Sequence, residues 1–251
     1  MNNRPHEAGE VHTQILRLAL GIEESRAYWA HVDPTTSPAV QVANAFEQRW
    51  FGAKTAARVR TLLAYLEVRY DAFPEALETL RRWRHMEPDT RQVICHWHVQ
   101  LTDPLYRSFT GKFLVERRRQ PQPAVDLNVV RRWVELEYPG RWATSTLIQF
   151  ASKLISAGAE AGLLSTRRDP RQLKLPLVTN AALGYLLYLL RGVDFEGSLL
   201  ANPYLASVGL DGVILDQRLR SLPGLEYRRM GELQDIEWRA PNLAAWADAT
   251  L

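Results

Sequence analysis

The sequence predicts a mainly α-helical protein in which short β-strands serve as wings on helical modules. From Gly21 onward, apolar residues recur every three or four positions, the spacing that buries one face of a helix. Runs in which apolar and polar residues alternate, as along half-buried strands, are few. Pro74, Pro88 and Pro104 stand at or near predicted helix starts, where the missing N–H costs no hydrogen bond. Helices are therefore expected to form the core.

Length and composition indicate an ordinary globular protein. The chain has 251 residues, of which 46% are hydrophobic and 24% charged. Cys95 is the single cysteine, which excludes an internal disulfide, and the N-terminus lacks a basic stretch followed by an apolar one. We therefore expect a cytoplasmic protein whose first ten residues are unstructured. The longest apolar run, residues 177–190, is shorter than the roughly 20 residues that span a bilayer, which predicts a buried helix and no membrane partner.

Residues 1–119 are predicted to form an N-terminal helical domain of the helix-turn-helix type. Its expected helices cover residues 22–32, 39–50, 54–70, 74–84, 89–101 and 104–119. The third has an apolar stripe that should pack against its neighbours, made of Val59, Leu62, Leu63, Leu66 and Tyr70. The segment Gln120-Pro-Gln-Pro123 cannot continue a helix and marks the end of the domain.

Two tandem winged-helix-like modules are predicted to follow, at residues 124–176 and 177–251. In the first, a turn joins helices at 125–137 and 143–161, and short strands at 163–166 and 172–175 flank the basic loop 167–171. Helix, turn, helix and a basic hairpin is the order of a winged helix. The second module repeats this order more loosely, with helices at 180–191, 198–208 and 211–221, strands at 225–229 and 234–238, and a closing helix at 242–251.

Basic charge is concentrated in the middle of the chain. The whole chain carries a formal net charge of +3, yet residues 107–174 hold 13 Lys or Arg against 6 Asp or Glu. Such a concentration is typical of a surface that binds a polyanion, nucleic acid in particular. A solvated basic face without a partner has the same composition, so charge alone leaves both interpretations open.

The helix predicted at residues 143–161 has an unusually small and weakly charged outer face. At 100° per residue, its apolar residues share one arc: Leu147, Phe150, Ala151, Leu154, Ile155, Gly158 and Ala161. The opposite arc holds Ser145, Thr146, Gln149, Ser152, Lys153, Ser156 and Glu160. Because Gln can bond base edges and Ser and Thr can bond phosphates, this arc suits a DNA groove. Thr144 or Ser145 is expected to cap the helix.

We therefore predict a nucleic-acid-binding surface made of this outer arc and the basic residues on either side of it. Arg141 precedes the helix, and the loop arginines and Lys174 follow it as phosphate clamps. The predicted contact residues are Arg141, Thr144, Ser145, Thr146, Gln149, Ser152, Lys153, Ser156, Arg167, Arg168, Arg171 and Lys174. The alternative is a surface helix whose outer face is merely small and polar.

No motif predicts catalysis, a metal or a cofactor. Cys95 and His98 could share an ion, but two ligands do not make a site, and His96 and His98 diverge by about 200° on a helix, which favours packing. Asp103 and Glu116 are conceivable as a nuclease pair, although they lie in a helical region without the sheet that usually presents such residues. Tryptophans on apolar helix faces are expected in the core: Trp29, Trp50, Trp83, Trp97 and Trp133.

Short segments along most of the chain follow the pattern and order of a known family. They are Ile22-Glu-Glu-Ser-Arg-Ala-Tyr28, Val42-Ala-Asn-Ala-Phe46, Ala56-Ala-Arg-Val-Arg-Thr-Leu-Leu63, Trp142-Ala-Thr-Ser-Thr146, Ala161-Gly-Leu-Leu164 and Ala182-Leu-Gly-Tyr-Leu-Leu-Tyr188, followed by residues 210–227. In these segments the chain resembles the BrxA family of the bacterial BREX phage-defence systems.

The resemblance implies a mainly helical protein without catalytic activity that binds double-stranded DNA. It also implies three partners, namely a site-specific methyltransferase, an ATPase and a phosphatase-like protein. It supplies no base-reading residues, so the contact residues above rest on helix geometry and charge, with modest sequence preference expected. The rival hypothesis is a scaffold subunit, because winged helices also serve protein contacts and the basic middle could dock an acidic partner.

Overall fold

The computed structural model describes residues 4–166, 168–231 and 233–251 and is mainly helical, which confirms the predicted fold class. Its helices are α1 (Ile22–His31), α2 (Pro38–Glu47), α3 (Ala56–Tyr70), α4 (Pro74–Arg82), α5 (Pro88–Thr102), α6 (Pro104–Ser108), α7 (Leu114–Arg118), α8 (Leu127–Glu137), α9 (Thr144–Glu160), α10 (Asn180–Arg191), α11 (Pro203–Ser207), α12 (Gly212–Arg220) and α13 (Leu243–Thr250). Its strands are β1 (Ala124–Val125), β2 (Arg171–Gln172), β3 (Leu225–Met230) and β4 (Leu233–Trp238). A 3-10 turn (Gln14–Leu16) precedes α1, and a π-helical turn (Phe109–Phe113) joins α6 to α7.

Helix α5 is the centre of the N-terminal half. Its residues from Val93 to Thr102 are all buried, and α1, α3, α6 and α10 pack against it. The predicted apolar stripe of α3 is confirmed, since each of its five side chains is at most 1% exposed. The helix predicted at residues 39–50 ends earlier, at Glu47, because Arg49 adopts a left-handed conformation (φ 54°) that a right-handed helix cannot continue.

The sequence predicts one helix over residues 104–119, whereas the structure inserts the π-helical turn between α6 and α7. The turn contains Gly111, where a Cβ would lie 2.4 Å from the Cβ of Pro203 at the start of α11. The hydroxyl of Thr110 accepts from the Gln100 side-chain amide and donates to the carbonyl of Tyr106. The wider turn thus coincides with the close approach of α11, a contact that local periodicity does not reveal.

The strands that follow α9 are shorter than the sequence predicts and gain a partner. The expected pairing of residues 163–166 with 172–175 is reduced to an antiparallel bridge between Leu164 and Leu173, next to a hydrogen bond from the Lys174 N–H to the Leu163 carbonyl. On its other side, β2 pairs antiparallel with β1, the segment that precedes α8.

Strand β1 occupies the start of the helix predicted at residues 125–137. Helix α8 begins only at Leu127, because Asp126 adopts an extended conformation and its carboxylate accepts a hydrogen bond from the Val129 N–H. This is an N-cap, which satisfies a backbone donor that the first turn would otherwise leave free. The two residues before the cap are therefore available to pair with β2.

The C-terminal part is built on α10, whose residues from Ala182 to Leu190 are all buried, as predicted for the apolar run. The helix predicted at residues 198–208 is shorter, because Ser198 and Ala201 form a bridge and Asn202 caps α11 by accepting from the Leu205 N–H. Strands β3 and β4 form the predicted hairpin, with Met230 opposite Leu233 at its tip.

Residues 4–10 are held in place by hydrogen bonds, so the expectation of ten unstructured residues is wrong for them, and residues 1–3 lie outside the described part of the chain. The Pro5 carbonyl and the Glu7 N–H bond to the backbone of Asp194, and the Ala8 N–H donates to the Leu101 carbonyl. The Glu7 carboxylate lies 3.5 Å from the guanidinium of Arg107 and accepts from the Tyr204 hydroxyl. These partners lie far away along the chain, so the order comes from tertiary contacts.

One hydrophobic cluster extends from Ile15 to Trp246 and runs through all three predicted domains. Trp29 and Trp97 are buried within it, which confirms their predicted place, while Trp50, Trp83 and Trp133 are half-buried against it. Within the described residues, no helix combines the length and the apolar character needed to cross a bilayer.

Candidate nucleic-acid interface

Helix α9 turns its predicted apolar arc to the core. Every residue of that arc is buried, and the ring of Phe150 packs 4.5 Å from that of Trp142, centroid to centroid. At Gly158 a Cβ would meet the side chain of Leu164 at 3.1 Å, so the absence of a side chain allows the following strand segment to pack closely. Helix α8 packs along the same helix. These contacts fix the rotation of α9 about its axis.

The opposite arc of α9 faces solvent over most of its length. Ser145, Gln149, Ser152 and Lys153 are exposed, and within the described residues no hydrogen bond or ion pair uses the side chains of the last three. The hydroxyl of Ser156 instead donates to the Ser152 carbonyl at 2.9 Å. The centre of the arc is therefore a small polar surface whose amide, hydroxyl and ammonium groups are free to bond a ligand.

The expected side-chain cap of α9 is wrong. The helix begins at Thr144 itself, and the N-cap position is Ala143, whose side chain cannot accept a hydrogen bond. The Ala143 carbonyl accepts from the N–H groups of Thr146 and Leu147, which places Thr144 and Ser145 inside the first turn. The positive end of the helix dipole is consequently left without a side-chain acceptor.

Arg141 lies just before α9 and is held by the rest of the protein. Its guanidinium donates to the Val11 carbonyl at 2.7 Å and lies over the rings of Trp142 and Tyr138, 5.2 and 5.9 Å from their centroids. This residue therefore ties the N-terminal segment to the turn between α8 and α9. The remaining N–H groups of its guanidinium are at the surface, since the residue is exposed.

The basic loop after α9 contains one exposed and one paired arginine, and Arg167 lies outside the described residues. Arg168 is exposed, and no hydrogen bond or ion pair joins its side chain to another described residue. Arg171 is half-buried, 3.4 Å from the Asp169 carboxylate, and it also donates to the Ser165 carbonyl. Asp169 in turn accepts from the Leu127 N–H at the start of α8, so it holds the loop against that helix.

Lys174 ends the loop as an exposed residue whose ammonium has no partner among the described residues. Its carbonyl accepts from Arg118, which also donates to the Ala206 carbonyl of α11. Burial lowers the pKa of Arg118 to about 10, so this arginine remains charged at neutral pH and serves to join three segments. The partnered arginines thus hold the module together, and Lys174 faces solvent.

Sequence reasoning missed further exposed cations of the same region. Arg131 and Arg132 are neighbours on α8, yet Arg131 pairs with Glu135 at 3.0 Å whereas Arg132 is exposed and pairs with no described residue. The sequence contains a signal for this difference, because the residue four positions after Arg131 is the carboxylate Glu135, whereas the residue four positions after Arg132 is Leu136. Lys112 and Arg119 are also exposed, and their side chains pair with no described residue.

The residues considered for a metal or a nucleophile are engaged in packing. His96 bonds the hydroxyls of Tyr106 and Ser207, and His98 bonds the Tyr185 hydroxyl and a backbone carbonyl. Burial raises the pKa of the Cys95 thiol to about 11. No group of three or more potential metal ligands occurs in the described part of the chain.

Asp103 and Glu116, the conceivable nuclease pair, lie in different surroundings. Asp103 is buried and caps α6 by accepting from the Tyr106 N–H, and burial raises the pKa of its carboxyl. Glu116 is exposed on α7. The buried carboxylate therefore has a structural use at a helix start, where it also lies 3.7 Å from the His12 imidazole, and within the described residues it belongs to no cluster of three potential metal ligands.

Comparison with known proteins gives the fold a precedent. No protein-family model matches the chain, and no curated protein matches it. Among solved structures, the chain is similar to an uncharacterized protein from Magnetospirillum magneticum, at 16% sequence identity and a TM-score of 0.53. The match covers 73% of this chain and 98% of that one. At this identity the likeness shows the fold alone.

Proposed function

We propose that the protein is a non-catalytic, double-stranded-DNA-binding component of a bacterial BREX phage-defence system. In this proposal residues 104–174 act as a winged helix whose α9 enters the major groove. The observation that carries it is the combination of three unpaired cations, Lys153, Arg168 and Lys174, with the free amide and hydroxyl groups of α9. The resemblance to the BrxA family supplies the biological setting and the expected methyltransferase, ATPase and phosphatase-like partners.

The order and pairing of elements in this region support a winged helix. The helical segment from α6 to α7 is followed by β1, then by α8 and α9, and then by the two segments that meet at Leu164 and Leu173. The last segment pairs on its other side with β1. In a helix-turn-helix unit with a wing, a short strand typically lies between the first and second helices. That strand pairs with the second strand of the wing, as β1 pairs with β2 here.

The distribution of charge supports phosphate contact. Some cations of residues 104–174 hydrogen-bond or ion-pair with other described residues through their side chains. These are Arg107, Arg117, Arg118, Arg131, Arg141 and Arg171. The described cations left unpaired in the same region are Lys112, Arg119, Arg132, Lys153, Arg168 and Lys174. Unpaired surface cations release counterions when they meet DNA phosphates, which is the main source of sequence-independent affinity.

The outer arc of α9 supports entry into a groove. Its exposed members are short, so the helix axis can approach the bases closely, and Gln149 can bond an adenine edge with both its donor and its acceptor. The start of the helix, with its uncapped N–H groups, is suited to a phosphate. We expect binding to be dominated by phosphates, with modest sequence preference.

The test is fluorescence anisotropy on a labelled random-sequence duplex, from about 50 to about 200 mM salt. The variant reverses Lys153, Arg168 and Lys174 to Glu. We expect the wild type to bind with an affinity that falls linearly in log-log form, and the variant to show a slope smaller by about 2 to 3, because each lost phosphate contact removes about 0.9.

The matched control reverses three exposed, unpaired cations of the N-terminal half, Arg17, Arg60 and Arg84, and so changes net charge equally. Equal loss in both variants would reduce the effect to net charge and overturn the assignment to this module. Failure of the wild type to bind duplex DNA even at the lowest salt would overturn the proposal as a whole. The acidic-partner scaffold would then be the better hypothesis.

The biological setting is tested separately, by deleting the gene from a host that carries the defence system and measuring phage plaquing. We expect plaquing to rise in the deletion strain and to fall again when the wild-type gene is returned. Restoration by the Lys153, Arg168 and Lys174 reversal variant at equal expression would show that DNA contact by this module is not needed for defence.

A further inference from the structure

Helix α2 carries an apolar surface on the side that faces solvent. At 100° per residue, its buried residues Gln41 and Ala45 lie on one side, and the opposite arc holds Ala39, Val40, Ala43, Phe46 and Glu47. Val40 is 49% exposed and Phe46 45% exposed. A surface helix ordinarily has the reverse pattern, with charged residues outward. The outer arc of α2 is therefore a surface that lacks its partner within this chain.

The apolar surface continues beyond the helix. A groove of about 730 Å³ opens between the end of α2 and the start of α3, lined by Phe46, Ala53 and Ala56 together with Arg49 and Lys54. All five residues are exposed. The small side chains at the start of α3 leave room beside Phe46 for a large side chain from another molecule.

We propose that α2 is the contact surface between two copies of this chain, packed as an antiparallel helix pair about a two-fold axis at Ala43. Such a contact is isologous, so the surface must complement itself. Across this axis, Val40 of one copy lies against Phe46 of the other, a large side chain against a smaller one, and the two Ala43 side chains allow the helices to approach closely. This inference does not rest on DNA binding.

Charge also favours the antiparallel arrangement of two copies. Ser37 at the start of α2 makes no capping hydrogen bond, so no side chain caps the positive end of the helix dipole, and Glu47 stands at the other end. In the antiparallel pair, Glu47 of each copy lies beside the uncapped end of the other. Arg49, exposed and without a described partner, lies at the same end as Glu47. In the antiparallel pair it faces the end of the other copy that carries Asp33, an exposed carboxylate that accepts hydrogen bonds from Thr35 and Thr36.

The size of the surface sets the expected strength. A ten-residue helix is only about 15 Å long, so the helix and the adjoining groove cover less than the roughly 800 Å² per partner of a standard interface. We therefore expect a weak, reversible dimer with a dissociation constant in the micromolar range, on the order of 10 to 100 µM.

Sedimentation velocity of the full chain without DNA, from about 1 to about 300 µM, tests the pair across that range. We expect the wild type to pass from monomer to dimer, and Ala43→Glu to weaken association at least about tenfold, because two like charges would meet at the axis. Val213→Glu is the matched control, since Val213 is 69% exposed on α12 and an equal charge there leaves α2 intact. A wild type that stays monomeric, or a dimer that survives Ala43→Glu, overturns the proposal.

Disulfide trapping tests the geometry independently. In Ala43→Cys the introduced thiol meets the same thiol of the other copy across the axis. Cys95 is buried and therefore does not form a disulfide between copies. We expect mild oxidation to give a covalent dimer that reductant reverses, and Val213→Cys to stay monomeric under the same conditions. Equal trapping of both variants, or none at Ala43→Cys, would contradict an antiparallel contact centred on this residue.

Discussion

Helices α9 and α2 both expose arcs of small side chains with little charge, but the two arcs differ in what they can bond. The arc of α9 presents hydroxyl, amide and ammonium groups at Ser152, Gln149 and Lys153. The arc of α2 presents methyl groups and a phenyl ring at Ala43, Val40 and Phe46. A polar arc loses nothing by contact with water, whereas an apolar arc gains free energy when another apolar surface covers it.

A small, weakly charged outer face does not by itself indicate one function. Short side chains allow close approach in both cases, and the chemistry of the atoms at the surface decides what approaches. The surroundings differ less, since unpaired cations stand near α9 and the groove beside α2 is lined by Arg49 and Lys54 as well as by alanine and phenylalanine. Four tests probe the two arcs and the helices that hold them.

The largest effect is expected from two phenylalanines on opposite sides of their helices. Phe150→Ala should lower the free energy of unfolding by about 3 to 5 kcal/mol, because the ring is fully buried against Trp142. Phe46→Ala should change it by less than about 0.5 kcal/mol, because the ring is 45% exposed, while still weakening self-association. Urea unfolding measures both, and equal destabilisation would mean that the outer arc of α2 is covered within the monomer.

The next largest effect is expected from carboxylates placed on the two outer arcs. Gln149→Glu with Ser152→Glu should weaken duplex binding by about ten- to a hundredfold at low salt, because both charges would face phosphates. The matched pair on α2, Ala39→Glu with Ala43→Glu, should leave duplex binding by the monomer unchanged. Fluorescence anisotropy at protein concentrations below self-association separates the two, and a similar loss in both pairs would contradict the division of roles.

The rotation of α9 could be predicted from the sequence, because seventeen residues with one apolar arc determine which side is buried. Its start could not be predicted in the same way. Three hydroxyl residues stand in a row at 144–146, so local capping rules do not choose among the possible starts. The choice depends on the turn held by Arg141, whose partner Val11 lies 130 residues away in the chain.

The wing shows the same limit. The basic loop is visible in the sequence, but β1 is a two-residue strand that exists only because β2 lies beside it. Arg171 is likewise paired because Asp169 lies beside it, and the Asp169 carboxylate is oriented by its hydrogen bond to the Leu127 N–H at the start of α8. Candidate contact residues could thus be proposed by charge and helix face. Apart from the local pair of Arg131 and Glu135 on α8, the division into paired and unpaired cations required the tertiary structure.

Acid provides a test of α5, which connects the helices that carry the two arcs. It packs against α3, which in turn packs against α2, and its Gln92 side chain donates to the Glu160 carbonyl at the end of α9. Burial lowers the pKa of His96 to about 3, below the roughly 6.5 of an unfolded chain. Its contribution to stability is therefore complete above about pH 6.5 and is lost as the pH falls toward 3, because only the unfolded chain takes up the proton.

His96→Gln should accordingly flatten the dependence of unfolding free energy on pH by up to about 1.4 kcal/mol per pH unit between about pH 6 and 4. Urea midpoints measured across this range, for wild type and variant, give the difference directly, because the carboxylates common to both cancel. Parallel curves would show that protonation of His96 does not limit the folded state. Duplex binding and self-association of the wild type should both fail at the pH where it unfolds.

The smallest effect separates two serines of the same arc of α9. The hydroxyl of Ser156 already donates to the Ser152 carbonyl, whereas that of Ser152 has no partner among the described residues. Ser152→Ala should therefore weaken duplex binding by a few-fold, equivalent to about 1 kcal/mol for one hydrogen bond, and Ser156→Ala by less than about twofold. Anisotropy titrations at one salt concentration suffice, since neither change alters charge. If Ser156→Ala has the larger effect, α9 presents a different edge to DNA, rotated toward its last turn.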